Sequence, residues 1–567
     1  MLHLGRQEAD VIKIGVRSKL MDSTFLAAVV LLSAIPYVTG LGLYSDDWAY
    51  QCGFAQRAGL SSFALFRYLV RYDANVRVRP VQAVYMVLDY KAFGGNEPAH
   101  GVLGVAVLGA AVAFLYLVLR ELNVERHAAL AIAAVYGVLP HDSVIRFWFS
   151  SQQAIISIVF ALAGIYALLR SVRPDTVHSM SWITASIVSF ILSFLSYEVA
   201  VGLIAASIAA IVWRRYREAR LSGRGLRTLA GIGVMLAALF VAGIIKIRMQ
   251  QRVIYHHHLL RFLGRLGSMA AHTGAQMVQF NLWAYLLHLP WVIAHMWQHS
   301  ALTATAITIA IAIAFAVSVY LWRNMGPNDA LNWRNCLLLI AAGFVVFLLG
   351  ILLFVRDLTW DYAAPGEGDR ISVAAALGAA LILVALTGLL CSAIKWPVVR
   401  VRVFSILIGV ACGLNSLAVS GIGYYWDDAA AKQKLILQSV KANVRGLPQR
   451  SVLLLDGFCR YSGAAPVFET DWDTSGAIEI TLGDYSLRGD VISPNAHFGE
   501  AGVDTTMYGE PEGHYPYGDH FFVYNVRSQS LAGLESQQAT MAYLREMNPT
   551  GDSGCPPADD GAGVAIF

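Results

Sequence analysis

The chain alternates between long apolar runs and short polar connections. Runs of spanning or near-spanning length fall near residues 22–43, 99–119, 124–139, 153–169, 182–196, 198–213, 228–246, 301–321, 336–355, 372–393 and 403–424. A helix needs roughly 20 apolar residues to cross a bilayer, so the pattern predicts about eleven transmembrane helices. The stretch 182–213 is too long for one crossing and carries Ser196-Tyr197-Glu198 in its middle. It is read as two short helices meeting at a polar tip. Residues 274–297 are apolar and aromatic, and are read as an interfacial or re-entrant segment; a twelfth span there would reverse the sidedness of everything after it.

Near residue 425 the character changes to polar, with many Gly and Asp and no further span. Residues 429–444 read as a helix, and 451–457 and 520–526 as buried strands. WDTSGAIEI (472–480) and DYSLRGDV (484–491) are candidates for further strands. The fold class is therefore an all-α polytopic membrane protein over residues 1–424, with long outer loops at 44–98 and 246–300, followed by a small α/β domain over 425–567. The last residues, TGDSGCPPADDGAGVAIF, have turn chemistry throughout.

Composition agrees with the pattern. The chain is 57% hydrophobic and 14% charged, where soluble domains carry roughly 25% charged residues. A net charge of +4 over 567 residues gives no reason to invoke nucleic acid. The basic residues sort by side instead. One set of alternate short connections carries nineteen Lys and Arg, and the other set carries three. This places the N-terminus in the cytoplasm and, with an odd number of spans, the C-terminal domain outside an inner (cell) membrane. The first run exceeds a signal-peptide core and no small-residue cleavage site follows, so it is read as a retained span. Cys336, Cys391 and Cys412 lie in or beside apolar runs. Cys459 and Cys555 fall in the outer region, where a disulfide between them is permitted. No cysteine spacing resembles a zinc site.

Polar clusters gather on the outer side. YSDDWAY (44–50) follows the first run, so Asp46 and Asp47 are expected at the C-terminal end of a helix, where the macrodipole makes a carboxyl hold its proton more tightly. Tyr44, Trp48 and Tyr50 are residue types that settle at headgroup level. Pro140-His141-Asp142-Ser143, Glu198 and Asp369-Arg370 fall on the same side. Ionisable residues at such positions are costly and are candidates for function. RVRPVQAVYMVLDYKAFGGNEP (77–98) reads as a helix opened by Pro80 and closed by Gly94-Gly95. Arg77 and Arg79 before it make either an anion site or a headgroup contact. Residues 257–272 are amphipathic, with Arg261 and Arg265 on the polar face towards phosphate, either of bulk lipid or of a bound one. His256, His257 and His258 do not share a helix face and are not read as a metal site.

Taken in order, these features resemble the glycosyltransferase C superfamily: acids after the first span, an Arg-Pro opening a helix that runs to FGGNEP, the outward LPHDSVIRFWFSSQ, LSFLSYEVAVGL, and GDRISVAA before a late span. Within it they look most like bacterial relatives of protein O-mannosyltransferases. The likeness covers roughly residues 22–395 through short motifs; Tyr197 stands where the family has Lys, and the Asp142 spacing differs. The resemblance implies a polyprenyl-phosphate-linked sugar as donor, with transfer on the extracytoplasmic face to a hydroxyl of a protein, lipid or polysaccharide. It implies Asp46 as general base, Asp47 orienting it or ligating a metal, and a second acidic site of His141, Asp142 and Glu198. Arg79, Arg261, Arg265 and Arg370 would hold the donor phosphate. Whether Mg²⁺ or Mn²⁺ takes part is open, and a single base implies inversion by direct displacement. The competing reading is a transporter or lipid flippase. Transporters place ionisable groups near the midplane and often show repeats, whereas these acids gather at span ends and no repeat is visible.

Overall fold

The computed structural model describes residues 2–219 and 300–547 apart from short gaps (174–175, 177, 327–331, 353, 355–366, 464, 493–495 and 508–509), together with scattered positions between 233 and 275. The first half is helical. In order come α1 (Leu2–Ala34), α2 (Asp46–Ala55), α3 (Ser62–Tyr72), α4 (Ala74–Arg77), α5 (Pro80–Phe93), α6 (Glu97–Glu121), α7 (Arg126–Val138), α8 (Val144–Phe147), α9 (Gln152–Ser171), α10 (Ser179–Ser196) and α11 (Val201–Ala219). After the largely undescribed stretch follow α12 (Ser300–Asn324), α13 (Trp333–Ile351), α14 (Ala375–Ser392) and α15 (Pro397–Asn443). Among the described residues seven helices are long and apolar enough to cross a membrane, and α7 and the helix after Glu198 are shorter apolar ones. The chain is a multi-pass membrane protein. The run at 228–246 and the segments 257–272 and 274–297 lie wholly or largely outside the described residues.

Local chemistry explains several boundaries. Pro80 opens α5 and Gly94 closes it at φ +59°, a left-handed position that glycine adopts without steric cost. α10 ends at Ser196, Tyr197 is extended, and a 3₁₀ turn over Glu198–Ala200 starts the return. Two expectations are corrected. The first apolar run does not stay helical to residue 43: α1 stops at Ala34 and the chain turns from 35 to 40. The last span and the helix expected at 429–444 are one uninterrupted helix of 47 residues, α15.

Buried charges at the far end of the bundle are met by partners, as a low-dielectric interior requires. Asp22 accepts both guanidinium bonds of Arg126 (2.7 and 2.8 Å), the Tyr320 hydroxyl (2.7 Å) and the Tyr116 hydroxyl. Glu121 pairs with Lys19 (3.1 Å) and Arg173 (2.7 Å). These contacts tie α1, α6, α7 and α12 together.

The C-terminal domain holds a four-stranded sheet in the order β4-β1-β8-β9 (Arg488–Val491, Val452–Asp456, Phe521–Asn525 and Ser530–Gly533). β1 is parallel to both neighbours. Its Leu453, Leu454 and Leu455 are all buried, the continuous apolar run that a two-sided strand demands. β2 (Tyr461–Ser462) and β3 (Ala465–Pro466) form a small hairpin, and β5 (His497–Phe498), β6 (Gly502–Met507) and β7 (Glu510–Pro516) form an antiparallel sheet. WDTSGAIEI is not a strand but most of α16 (Asp471–Leu482). Thr470 and Asp473 form a capping box at its start and Gly483 closes it at φ +70°, signals that outweigh the β-branched residues inside it. The domain ends on α17 (Gln537–Met547). Cys459 is disulfide-bonded, and Cys555 lies outside the described residues.

α13 and α14 touch backbone to backbone. A Cβ added at Gly378 would lie 2.4 Å from the Gly343 carbonyl oxygen and 2.5 Å from the Phe347 nitrogen. Neither backbone atom can step aside, so Gly378→Val is expected to cost about 1–3 kcal/mol or more. Thermal unfolding in detergent should show a clear drop in midpoint for Gly378→Val, and none for the same change at Gly59, where no atom lies within 4 Å.

Candidate active site

Because α1 ends early, Asp46 and Asp47 form the first turn of α2 rather than the tail of a span. The dipole at that end favours ionised carboxylates, opposite to the expectation from sequence. Their protons are nevertheless held tightly, and burial is the cause. Desolvation pushes Asp46 up to about 6; Arg370 opposes this, while Glu469 and Asp73 add to it. Asp47 is pushed up to about 7 by burial against the pull of its own hydrogen bonds.

The two neighbours are used differently. Asp47 is fully buried. Its Oδ1 accepts the Ser150 amide (2.8 Å) and the Ser150 hydroxyl, and its Oδ2 accepts the Tyr44 amide (3.2 Å). Both oxygens are thus met by protein donors, so Asp47 pins this turn to the stretch that enters α9. Ser45, just before, sits at φ +46° and ψ −124°. Such a conformation costs a non-glycine residue on the order of 1–3 kcal/mol and persists only where its surroundings fix it. They do so here. The Tyr44 hydroxyl donates to the Trp426 carbonyl (2.8 Å) and accepts from the Gly42 amide (2.9 Å), and its ring meets Trp426 edge-on at 4.6 Å.

Asp46 is half-buried and faces a cleft. Trp148, Ser150, Ser151, Tyr197 and Arg370 line it with Asp46, and Gln153 and Ala154 complete the wall. The Arg370 guanidinium lies 5.5 Å from the centre of the Trp148 ring. Four separated segments meet here: the start of α2, the 148–154 stretch entering α9, the 197 break and the 370 turn.

The other expected site residues fall as follows. Glu198 pairs with Arg79 (3.1 Å), and Arg79 also stacks on the Tyr197 ring at 4.4 Å. Arg79 is thus tied to the 197–198 break, whose Tyr197 lines the cleft. His141 and Asp142 are buried in the core below and do not line the cleft. Burial lowers the His141 imidazole to about 3 and raises the Asp142 carboxyl to about 7, with Arg146 opposing the latter. Asp142 is faced by Arg146, and Glu198 by Arg79. Asp369 accepts from the Ser143 hydroxyl (2.6 Å) and the Val144 amide (3.2 Å) and so fastens the 370 turn to the 143 turn. Arg261 and Arg265 lie outside the described residues. Among the described residues no three His, Cys, Asp or Glu side chains are gathered for a metal.

One contributor had no sequence signal. α16 of the C-terminal domain lies directly against α2. A Cβ at Gly476 would sit 2.5 Å from the Trp48 carbonyl oxygen, the Cys52 thiol donates to Glu479 (2.8 Å), and the Trp48 and Phe468 rings lie 6.4 Å apart. This brings Glu469 beside the acids of α2.

No family model and no curated protein matches the chain. Similar solved structures include ArnT from Cupriavidus metallidurans bound to undecaprenyl phosphate, at 12% identity over 82% of this chain and 85% of that one, with a TM-score of 0.35. The apo oligosaccharyltransferase of Archaeoglobus fulgidus is similar at 12% identity over 85% of this chain and 65% of that one, with a TM-score of 0.41. At these values the likeness bears on neither activity nor substrate, which rest on the cleft itself.

The Asp142 carboxyl titrates near 7 in the folded protein and near 3.9 when unfolded. The folded state binds the extra proton between those values, so its stabilisation is complete below about 4 and is lost as pH rises through 7. Asp142→Asn removes this loss. Relative to the wild type, its melting temperature in detergent should rise steadily between pH 4 and pH 8; a constant difference would mean the carboxyl is not strained by burial.

Proposed function

We propose that the chain is an integral membrane glycosyltransferase that moves a sugar from a polyprenyl-phosphate donor to an acceptor hydroxyl on the extracytoplasmic face. The observation that carries this reading is the joint lining of one cleft, at the ends of apolar helices, by Asp46 and Arg370. A donor with a prenyl tail is met from the bilayer, with its phosphate at headgroup level. Arg370 supplies a cation there for that phosphate, and Asp46 supplies a carboxylate for the acceptor.

In this mechanism the acceptor O–H gives its proton to Asp46 as the oxygen bonds to the anomeric carbon. The bond from that carbon to the phosphate oxygen breaks, and the leaving phosphate keeps the electron pair and is stabilised by Arg370. One displacement inverts the anomeric centre, by analogy with the hydrolases. An ordinary aspartate is a weak base; one raised to about 6 is better matched to neutral pH. Asp47 holds the α2 turn, and hence Asp46, in place. The acceptor and the identity of the sugar are set by contacts around this centre.

The test is transfer from a radiolabelled polyprenyl-phosphate hexose into membrane and envelope acceptors. Asp46→Asn should lower the rate by about 10²–10⁴-fold while leaving binding of the lipid donor intact. Transfer without that loss would remove Asp46 from the mechanism. Because the base must be ionised, the wild-type rate should rise with pH through about 6 and then level. Arg370→Gln should weaken donor binding as well as turnover. Movement of label across the membrane with no new glycosidic bond would show a transporter instead.

A further inference from the structure

The cleft has two polar groups that the mechanism above does not use. Trp148 is buried, and its indole Nε1–H has no hydrogen-bond partner among the described residues. Gln153, five residues on and across the entry to α9, has a buried amide oxygen in the same condition. Both side chains line the cleft beside Asp46 and Arg370. An indole N–H can only donate, and an amide oxygen can only accept. Leaving either dry and unpaired costs on the order of 1–3 kcal/mol, and two such groups on one wall point to a ligand that brings a matching acceptor and donor.

Building on the glycosyl-transfer reading, we infer that Trp148 and Gln153 read the donor's sugar ring, through hydroxyl groups that accept from the indole and donate to the amide. The chemical class that fits is a neutral, hydroxylated hexose or pentose. A sugar hydroxyl is both donor and acceptor, so adjacent ring hydroxyls satisfy the pair at once. A carboxylate on the sugar would meet the Gln153 oxygen and the Asp46 carboxylate unfavourably, and the cation lining the cleft, Arg370, is already assigned to the phosphate. Sites that hydrogen-bond a substrate hydroxyl reject analogues lacking it, because their own groups are then left unpaired. Trp148 also carries Arg370 on its ring face, so the sugar and phosphate subsites adjoin through one side chain.

The experiment measures binding by the full chain in nanodiscs of two lipids: undecaprenyl phosphate alone, and undecaprenyl phosphate carrying mannose, glucose or galactose. The wild type should bind at least one hexosyl form more tightly than the bare lipid. Gln153→Leu should reduce that preference roughly 3- to 10-fold and leave the bare-lipid affinity unchanged, and Trp148→Phe, whose ring also carries Arg370, should weaken the hexosyl form more than the bare lipid. If either variant weakens both lipids equally, or neither, the pair is structural and the inference fails. Gln153 is the less buried of the two, so its variant decides the matter should Trp148→Phe not fold. A wild type that binds neither lipid would instead overturn the proposed function, an outcome distinct from loss of the sugar preference.

Discussion

A carboxylate taken out of water must be met by donors, and Asp47 is met by the Ser150 amide, the Ser150 hydroxyl and the Tyr44 amide. That one buried side chain joins the loop after α1 to the stretch that enters α9, across a gap of 103 residues in sequence. Much of the cleft depends on it. The strained Ser45, the start of α2, the outward aim of Asp46 and the placing of Trp148 all hang from the same bond set. Trp426, among the largest fully buried side chains, closes the arrangement from behind, against Tyr44 on one side and Phe147 (5.6 Å) on the other.

Division of labour between adjacent acids follows from helix geometry. Successive residues point about 100° apart around a helix, so one acid can face the core while its neighbour faces an opening. Asp47 spends both its oxygens on structure, and Asp46 keeps its carboxylate for the cleft. A buried acid beside an arginine is a poor arrangement for stability and a useful one for proton transfer. The same contrast separates Asp142 and Asp369, sealed in the core, from the residues that open outward.

The helical half was legible in the sequence because burial in lipid or protein leaves long apolar runs, and the break at Ser196-Tyr197-Glu198 and the Pro80–Gly94 limits carried local chemistry that nothing distant overrode. The errors have equally physical origins. Residues 35–43 are apolar but turn, since burial against α15 rewards apolar side chains whatever the backbone does. Composition placed a boundary near 425, yet hydrophobicity can change along a helix without the helix ending. At the site, charged residues were visible and their partners were not: nothing in the sequence pairs Arg79 with Glu198 or Asp369 with Ser143. Trp148 stood inside a stretch already singled out and Gln153 directly after it, but an unpaired polar atom exists only once the fold has filled its surroundings. The approach of α16 to α2 is a contact between the two ends of the chain, which no local pattern encodes.

The length of α15 has a mechanical consequence. At about 1.5 Å per residue its 47 residues extend about 70 Å, more than twice a hydrocarbon core of roughly 30 Å. Its far end is built into the C-terminal domain, where Gln433 donates to the Val467 carbonyl (2.6 Å) and Val440 is buried. Membrane bundle and C-terminal domain therefore share a rod instead of a hinge. The helix has no break where the two regions meet, so a displacement of the domain would be carried along its length into the bundle.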